Sequence, residues 1–261
     1  MTRPSPFTLV FFLGALALLA PLATSQLPVS KVRADDTSLI GFGEAVAVDG
    51  TTAVAFGTLV DSEGNALVLE WTSTGWRPSV LLPFVAVNYA ANGLKYGDNV
   101  DIVGDTIFVG ATGDPILDDM GLVHVYQRDD NGTPFHRFDD TWPEIDQLLG
   151  GDIGSHFGFS VAAEGDLVVV GGPGLPWDRG WARVYERNDM GTPADPFDDQ
   201  WDSSHELDQP GAPAASQFGF DVALSGDLIA VTDPLGAGRV HTWLRVGNAW
   251  LPNGTVEPTS D

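Results

Sequence analysis

The sequence predicts an all-β protein, a β-propeller built from four repeats of four strands each. Three observations carry this prediction. An aromatic-glycine pair recurs at Phe42-Gly43, Tyr96-Gly97, Phe157-Gly158 and Phe218-Gly219. In fixed register behind each pair stand a valine (Val46, Val100, Val161, Val222) and then a glycine (Gly50, Gly104, Gly165, Gly226). The repeats also lack the apolar period of an amphipathic helix, so each unit is a meander of short strands.

Each element has its own signal. The valine-containing segment, for example Ser160 to Ala163, is a first strand, and Glu164-Gly165 is a two-residue turn into the β-branched run Asp166 to Val170. Asp49-Gly50 is the clearest copy of that turn, because Asp-Gly adopts the positive φ angles of a type I′ hairpin. Third strands follow at Leu67 to Leu69, Val123 to Tyr126, Ala182 to Tyr185 and Val240 to Trp243. A tryptophan opens each fourth strand: Trp76, Trp142, Trp201 and Trp250. One such ring per repeat at a fixed place reads as packing between units rather than as a sugar-stacking platform. A lone four-stranded meander leaves both faces bare, and radial stacking covers them. Pro28 to Asp36 is an unpaired strand suited to close the ring against the last repeat. A small closed ring and an incomplete propeller completed by oligomerisation both fit four repeats.

The repeats, starting near 42, 96, 157 and 218, occupy a single domain over residues 26–261. Ahead of it, Arg3, the apolar run Phe7 to Ala20, Pro21 and the small residues Ala23 to Ser25 have the layout of a secretory signal spanning residues 1–25. About 14 apolar residues fall short of the roughly 20 that span a bilayer. Cleavage after Ser25 leaves a protein starting at Gln26 with no membrane insertion. It is expected to be secreted or extracellular, or periplasmic in a Gram-negative host. The chain has no cysteine, which excludes thiol catalysis and Cys-ligated zinc. With 36 acidic against 12 basic residues and a net charge of −24, it repels nucleic acid.

The order Phe-Gly, valine strand, Gly-Asp, apolar strand and a Gly-Ala-Pro-like triplet resembles the FG-GAP repeat of integrin α-chain propellers. The triplet stands at Gly110-Ala111-Thr112, Gly171-Gly172-Pro173 and Thr232-Asp233-Pro234, and is eroded to Phe56-Gly57-Thr58 in the first repeat. The resemblance covers about residues 28–256 and implies a propeller that engages partners through the rim opposite its tight turns, here Asp114 to Asp119 and Leu175 to Arg179. The calcium loop that many integrin-type blades carry in the first hairpin has no counterpart, because the turns here are too short to encircle an ion.

Acidic clusters stand elsewhere. Related insertions in repeats two and three contain Asp129, Asp130, Asp139 and Asp140, and Asp189, Asp198 and Asp199. These are candidate calcium ligands, since oxygen-only ligands on loops suit a hard cation, and they read equally as solvated turn residues. Asp114, Asp118 and Asp119 form a third acidic loop. His124 and His241 hold matching third-strand places and are expected to be exposed. No nucleophile elbow or phosphate-binding loop is present. The leading functional expectation is therefore an extracellular binding or adhesion module for a protein or glycan. The alternatives are a carboxylate-dependent enzyme acting on carbohydrate and an architectural surface protein. Both long insertions are expected on the rim that carries the tight turns.

Overall fold

The structure is a computed structural model that describes residues 39–59, 64–82, 96–112, 120–150, 154–174, 180–207, 209, 216–235 and 238–258. The leader expected at 1–25, the strand expected at Pro28 to Asp36, and residues 114–119 and 175–179 lie outside the described residues. Sixteen strands lie among the described residues. Blade 1 holds β1 (Leu39–Asp49), β2 (Thr52–Leu59), β3 (Gly64–Thr72) and β4 (Gly75–Leu81). Blade 2 holds β5 (Tyr96–Val103), β6 (Thr106–Ala111), β7 (Leu122–Gln127) and β8 (Glu144–Leu149). Blade 3 holds β9 (Ser160–Glu164), β10 (Leu167–Gly172), β11 (Trp181–Asn188) and β12 (Gln200–Leu207). Blade 4 holds β13 (Val222–Ser225), β14 (Leu228–Asp233), β15 (Arg239–Val246) and β16 (Ala249–Val256). Each blade is one antiparallel sheet in sequential order, and no helix occurs among the described residues. The inner strands β1, β5, β9 and β13 neighbour one another in succession, which gives the four-bladed propeller-like arrangement expected from the repeat.

The turn between first and second strands sits one residue further on than the sequence suggests. Asp49 pairs with Thr52 and Glu164 with Leu167, so the loop residues are Gly50-Thr51 and Gly165-Asp166. Only the glycine has positive φ (+55° at Gly50, +60° at Gly165). A glycine at the first central position with an ordinary second residue is the type II′ solution, not type I′. The displaced acid gains a different task. Asp49 accepts a hydrogen bond from the backbone N–H of Gly104 in the next blade at 2.7 Å, and Glu164 accepts one from Gly226 at 2.8 Å. At the remaining seam the carboxylate comes from the same strand two residues earlier, where Asp101 accepts from Ala163 N–H at 2.7 Å. Burial pushes the Asp101 carboxyl above its usual range, against the pull of these backbone donors.

Three apolar clusters fill the seams between blades. Val54, Phe56 and Val68 of blade 1 pack on Val100, Ile107, Val109 and Trp142 of blade 2. Phe108, Val123 and Val125 pack on Phe157, Val168, Val170 and Trp201. Val169, Ala182 and Val184 pack on Phe218, Ile229, Val231 and Trp250. Strand alternation sends odd and even residues to opposite faces, so each middle strand serves two seams. Three of the four recurring tryptophans therefore lie in the seams as expected, while Trp76 packs on Ala53, Ala55, Leu67 and Leu69 of its own blade. The glycines of the two repeat motifs meet there too: a Cβ on Gly110 would stand 1.9 Å from the carbonyl oxygen of Gly158, and one on Gly171 would stand 2.2 Å from that of Gly219. The triplet glycine of one blade thus receives the backbone of the next blade's aromatic-glycine pair.

Candidate active site

Both insertions emerge between third and fourth strands and stand on the rim of the tight turns, as expected. Their carboxylates hold the loops together. Asp129 and Asp130 accept from the N–H groups of Asn131 and Gly132, and Asp189 accepts from that of Gly191. Thr133 donates its hydroxyl to Asp139 (3.0 Å), and Thr192 donates to Asp198 (2.7 Å). His136 and Thr133 hold the Asp139 carboxyl below its usual range. Asp140 and Asp199 are buried and face guanidinium groups, Asp140 on Arg128 and Asp199 on Arg187 at 2.6 Å. Among the described residues no group of three or more acidic or histidine side chains is placed to hold a metal ion.

The expectation of exposed histidines is overturned. His124 and His241 are buried, because outer-strand polar groups cover them: Glu144 lies 2.9 Å from His124, and Thr255 lies 2.9 Å from His241. Gln209 donates its amide hydrogens to Asp233 and to Nε2 of His241, which leaves the imidazole proton on Nδ1, donated to Thr255. Burial holds His241 below the usual imidazole range.

The concave feature of this rim centres on Arg187. At the end of β11 its N–H donates to the carbonyl of Asp166 in the tight turn (2.9 Å), while its guanidinium lies between Asp199 and Asp166, 3.5 Å from the latter. A cleft of about 590 Å³ opens there, and Asp166, Glu186, Asp189 and Asp202 are among the residues that line it with Arg187. It continues into a depression of about 550 Å³ toward Asp227 and Arg245 of blade 4, and into one of about 390 Å³ toward Asp105 and Gln127 of blade 2. Arg245 repeats the backbone bond of Arg187, its N–H donating to Asp227 O at 2.8 Å. Blade 4 has no insertion to supply a counterpart of Asp199, so the Arg245 guanidinium crosses the seam to Glu186 at 3.1 Å.

Sequence reasoning passed over these arginines. Arg128, Arg187 and Arg245 each stand two residues after the last aromatic of a third strand (Tyr126, Tyr185, Trp243), a signal as regular as the aromatic-glycine pair. Chemically, the cleft offers carboxylates open to water, two guanidinium groups in fixed positions, and hydrogen-bonding groups of both kinds. That combination suits a polyhydroxylated ligand and a reaction needing both a base and an oxyanion partner.

No protein-family model matches the chain, and no curated protein matches its sequence. Solved structures do. One from Bacteroides uniformis, described as a "putative 6-phosphogluconolactonase", matches with a TM-score of 0.56 at 14% identity over 84% of this chain and 57% of its own. A protein of the same description from Bacteroides fragilis matches with a TM-score of 0.50 at 14% identity, over 82% of this chain and 56% of its own. The chain thus spans a little over half the length of each. At an identity this low the structural likeness establishes the propeller-type fold alone. The expectation of an adhesion module is corrected by the same finding: the similar structures are described as putative 6-phosphogluconolactonases, which fits the alternative of an enzyme acting on carbohydrate better.

Proposed function

We propose that this chain is an exported hydrolase of sugar lactones, working in the rim cleft of blade 3 where it meets blade 4. The observation that carries the reading is that Asp166, Glu186 and Arg187 line both the cleft that holds Asp189 and Asp202 and the adjoining depression that holds Arg245. The names of the similar structures supply the substrate class. Asp166, whose side chain is 76% exposed, takes a proton from water as the water oxygen attacks the lactone carbonyl carbon. Arg245, held by Glu186, donates hydrogen bonds to the oxyanion that forms. Collapse of that intermediate breaks the ring C–O bond, the proton passes to the departing ring oxygen, and a hydroxy acid leaves. The net charge of −24 speeds release of this anionic product and disfavours a phosphorylated substrate, as does the pairing of both arginines with carboxylates. The leader at 1–25 supports export. The glycine-to-glycine seams support reading the repeats as FG-GAP-like, because they give both motif glycines a shared reason.

The test follows acid release from gluconolactone and its 6-phosphate above the spontaneous rate. Asp166→Asn is expected to lower kcat about 100-fold or more, the usual contribution of a general base. Glu186→Gln is expected to lower it less, and the neutral lactone to be preferred. Absence of any acceleration, or unchanged rates in both variants, would overturn the reading.

A further inference from the structure

The end blades break a pattern that the seams between blades keep. In repeat register, the positions of β1 and β2 that face a preceding blade are Val46, Val48, Ala53 and Ala55, the counterparts of Val100, Ile102, Ile107 and Val109. The latter four are buried against blade 1. In blade 1, Val46 and Val48 are 66% and 61% exposed, whereas Ala53, Ala55, Leu67 and Leu69 are buried and, among the described residues, cluster with one another and Trp76 rather than with another blade.

The opposite face of blade 4 is the unmatched partner of this surface. Leu228 pairs across the sheet with Leu244, and Leu244 with Leu251, forming a row of three leucines that are 41–48% exposed. The same row is wholly polar in blades 1 and 2, with Thr52 and Glu70, then Thr106 and Gln127, and in blade 3 it keeps one leucine, Leu167, beside Glu186 and Asp202. In blades 1 and 3 an arginine of the next blade reaches the row. Arg137 of blade 2 reaches Glu70, and Arg245 of blade 4 reaches Glu186.

The residue in blade 1 that stands where Arg245 stands in blade 4 is Trp71. Its N–H donates to Thr51 O at 2.8 Å, the bond that Arg128, Arg187 and Arg245 make to Asp105, Asp166 and Asp227. Both members of the seam pair therefore change together, Glu186 with Arg245 becoming Leu244 with Trp71. We propose that the leucine row of blade 4 docks blade 1 of a second copy of this chain, head to tail, with Trp71, Val46 and Val48 seated on Leu228, Leu244 and Leu251. The interface continues the blade seam across two molecules. It is heterologous, so it closes a ring or extends a fibre according to the blade rotation.

Sedimentation velocity of the purified protein over a range of concentrations, in 0.15 M and 0.5 M NaCl, tests this. Association is expected, and is expected to tighten with salt as repulsion between copies of charge −24 is screened. Leu244→Glu and Val46→Lys change exposed residues at opposite ends, and each is expected to weaken association tenfold or more. An equimolar mixture of the two retains one intact face of each kind and is expected to form a dimer that stops there. Leu244→Glu combined with Trp71→Arg in one chain, which installs the charge pair of the blade 3 to blade 4 seam, is expected to recover association. A wild-type monomer throughout, variants that associate as well as wild type, or a mixture that stays monomeric would overturn the proposal.

Discussion

Replacing Arg137 by methionine should expose how the blade 2 insertion is fastened to blade 1. Glu70 on β3 is 1% exposed, accepts from Thr52 Oγ1 at 3.1 and 3.2 Å, and lies 3.5 Å from Arg137 Nη1. Arg137 also donates to Thr52 at 2.9 Å, and its backbone carbonyl accepts from Ser79. Burial pushes the Glu70 carboxyl above its usual range, with Thr52 and Arg137 pulling it back. Stripping the partner from a fully buried charge costs about 3–5 kcal/mol. The Arg137 side chain is 36% exposed, so water screens part of the pair, and about 1–2 kcal/mol is the expected loss at pH 7. The pH dependence follows from the raised pKa. A folded-state value above the unfolded one makes Glu70 favourable below the ordinary glutamate range, and that benefit is lost as pH rises through the folded value. Removing Arg137 raises the folded value further. The deficit of Arg137→Met should therefore be large at pH 7 and small at pH 4. Urea unfolding of wild type, Arg137→Met, Glu70→Gln and the double variant measures it, with the double variant recovering most of the loss. A deficit equal at both pH values, or a double variant no better than Arg137→Met, would refute the reasoning.

Gly110→Ala should destabilise by about 3 kcal/mol, since its Cβ would lie 1.9 Å from a backbone oxygen of the next blade; thermal melting at unchanged secondary structure reads this, and a tolerated alanine would remove the close approach from the account. His241 is held below its usual range by burial, so the stability of its neutral form is present above about pH 6.5 and lost as pH falls through the folded value. His241→Gln should accordingly flatten the pH 7 to pH 5 slope of unfolding free energy, and an unchanged slope would place the titration elsewhere. Because Asp139 and Asp198 already accept from threonines of their own loops, and Asp140 and Asp199 already face arginines, calcium should raise the melting temperature no more than magnesium at equal ionic strength, and a calcium-specific rise would support the metal reading of these loops.

The blades were legible in the sequence because repetition forces equal environments: a residue buried in one seam, such as Trp142, has its counterparts Trp201 and Trp250 in the next two. What repetition does not encode is pairing between unlike positions. Alternation on β7 and β15 places His124 and His241, but their burial depends on Glu144 and Thr255 arriving from the outer strands. For the Asp-rich insertions, composition does not tell a carboxylate aimed outward from one held by Thr133 or Arg187. The rim cleft was least visible of all. Asp166, Glu186 and Arg245 stand far apart in sequence and meet only through the seam between blades 3 and 4.

The carboxylate bridges between blades all point the same way. Asp49, Asp101 and Glu164 belong to earlier blades, and the N–H groups of Gly104, Ala163 and Gly226 that satisfy them belong to later ones; Glu70 likewise waits for Arg137. A chain growing from its N-terminus on the ribosome therefore carries, at each stage, an acid at its leading edge whose donor has not yet been made. Blade 1 reaches its final stability only after residue 137 has emerged, and blade 3 only after residue 226. Maturation advances with a lag of one blade, and a chain halted early presents an unfinished carboxylate edge to the machinery that surveys nascent proteins.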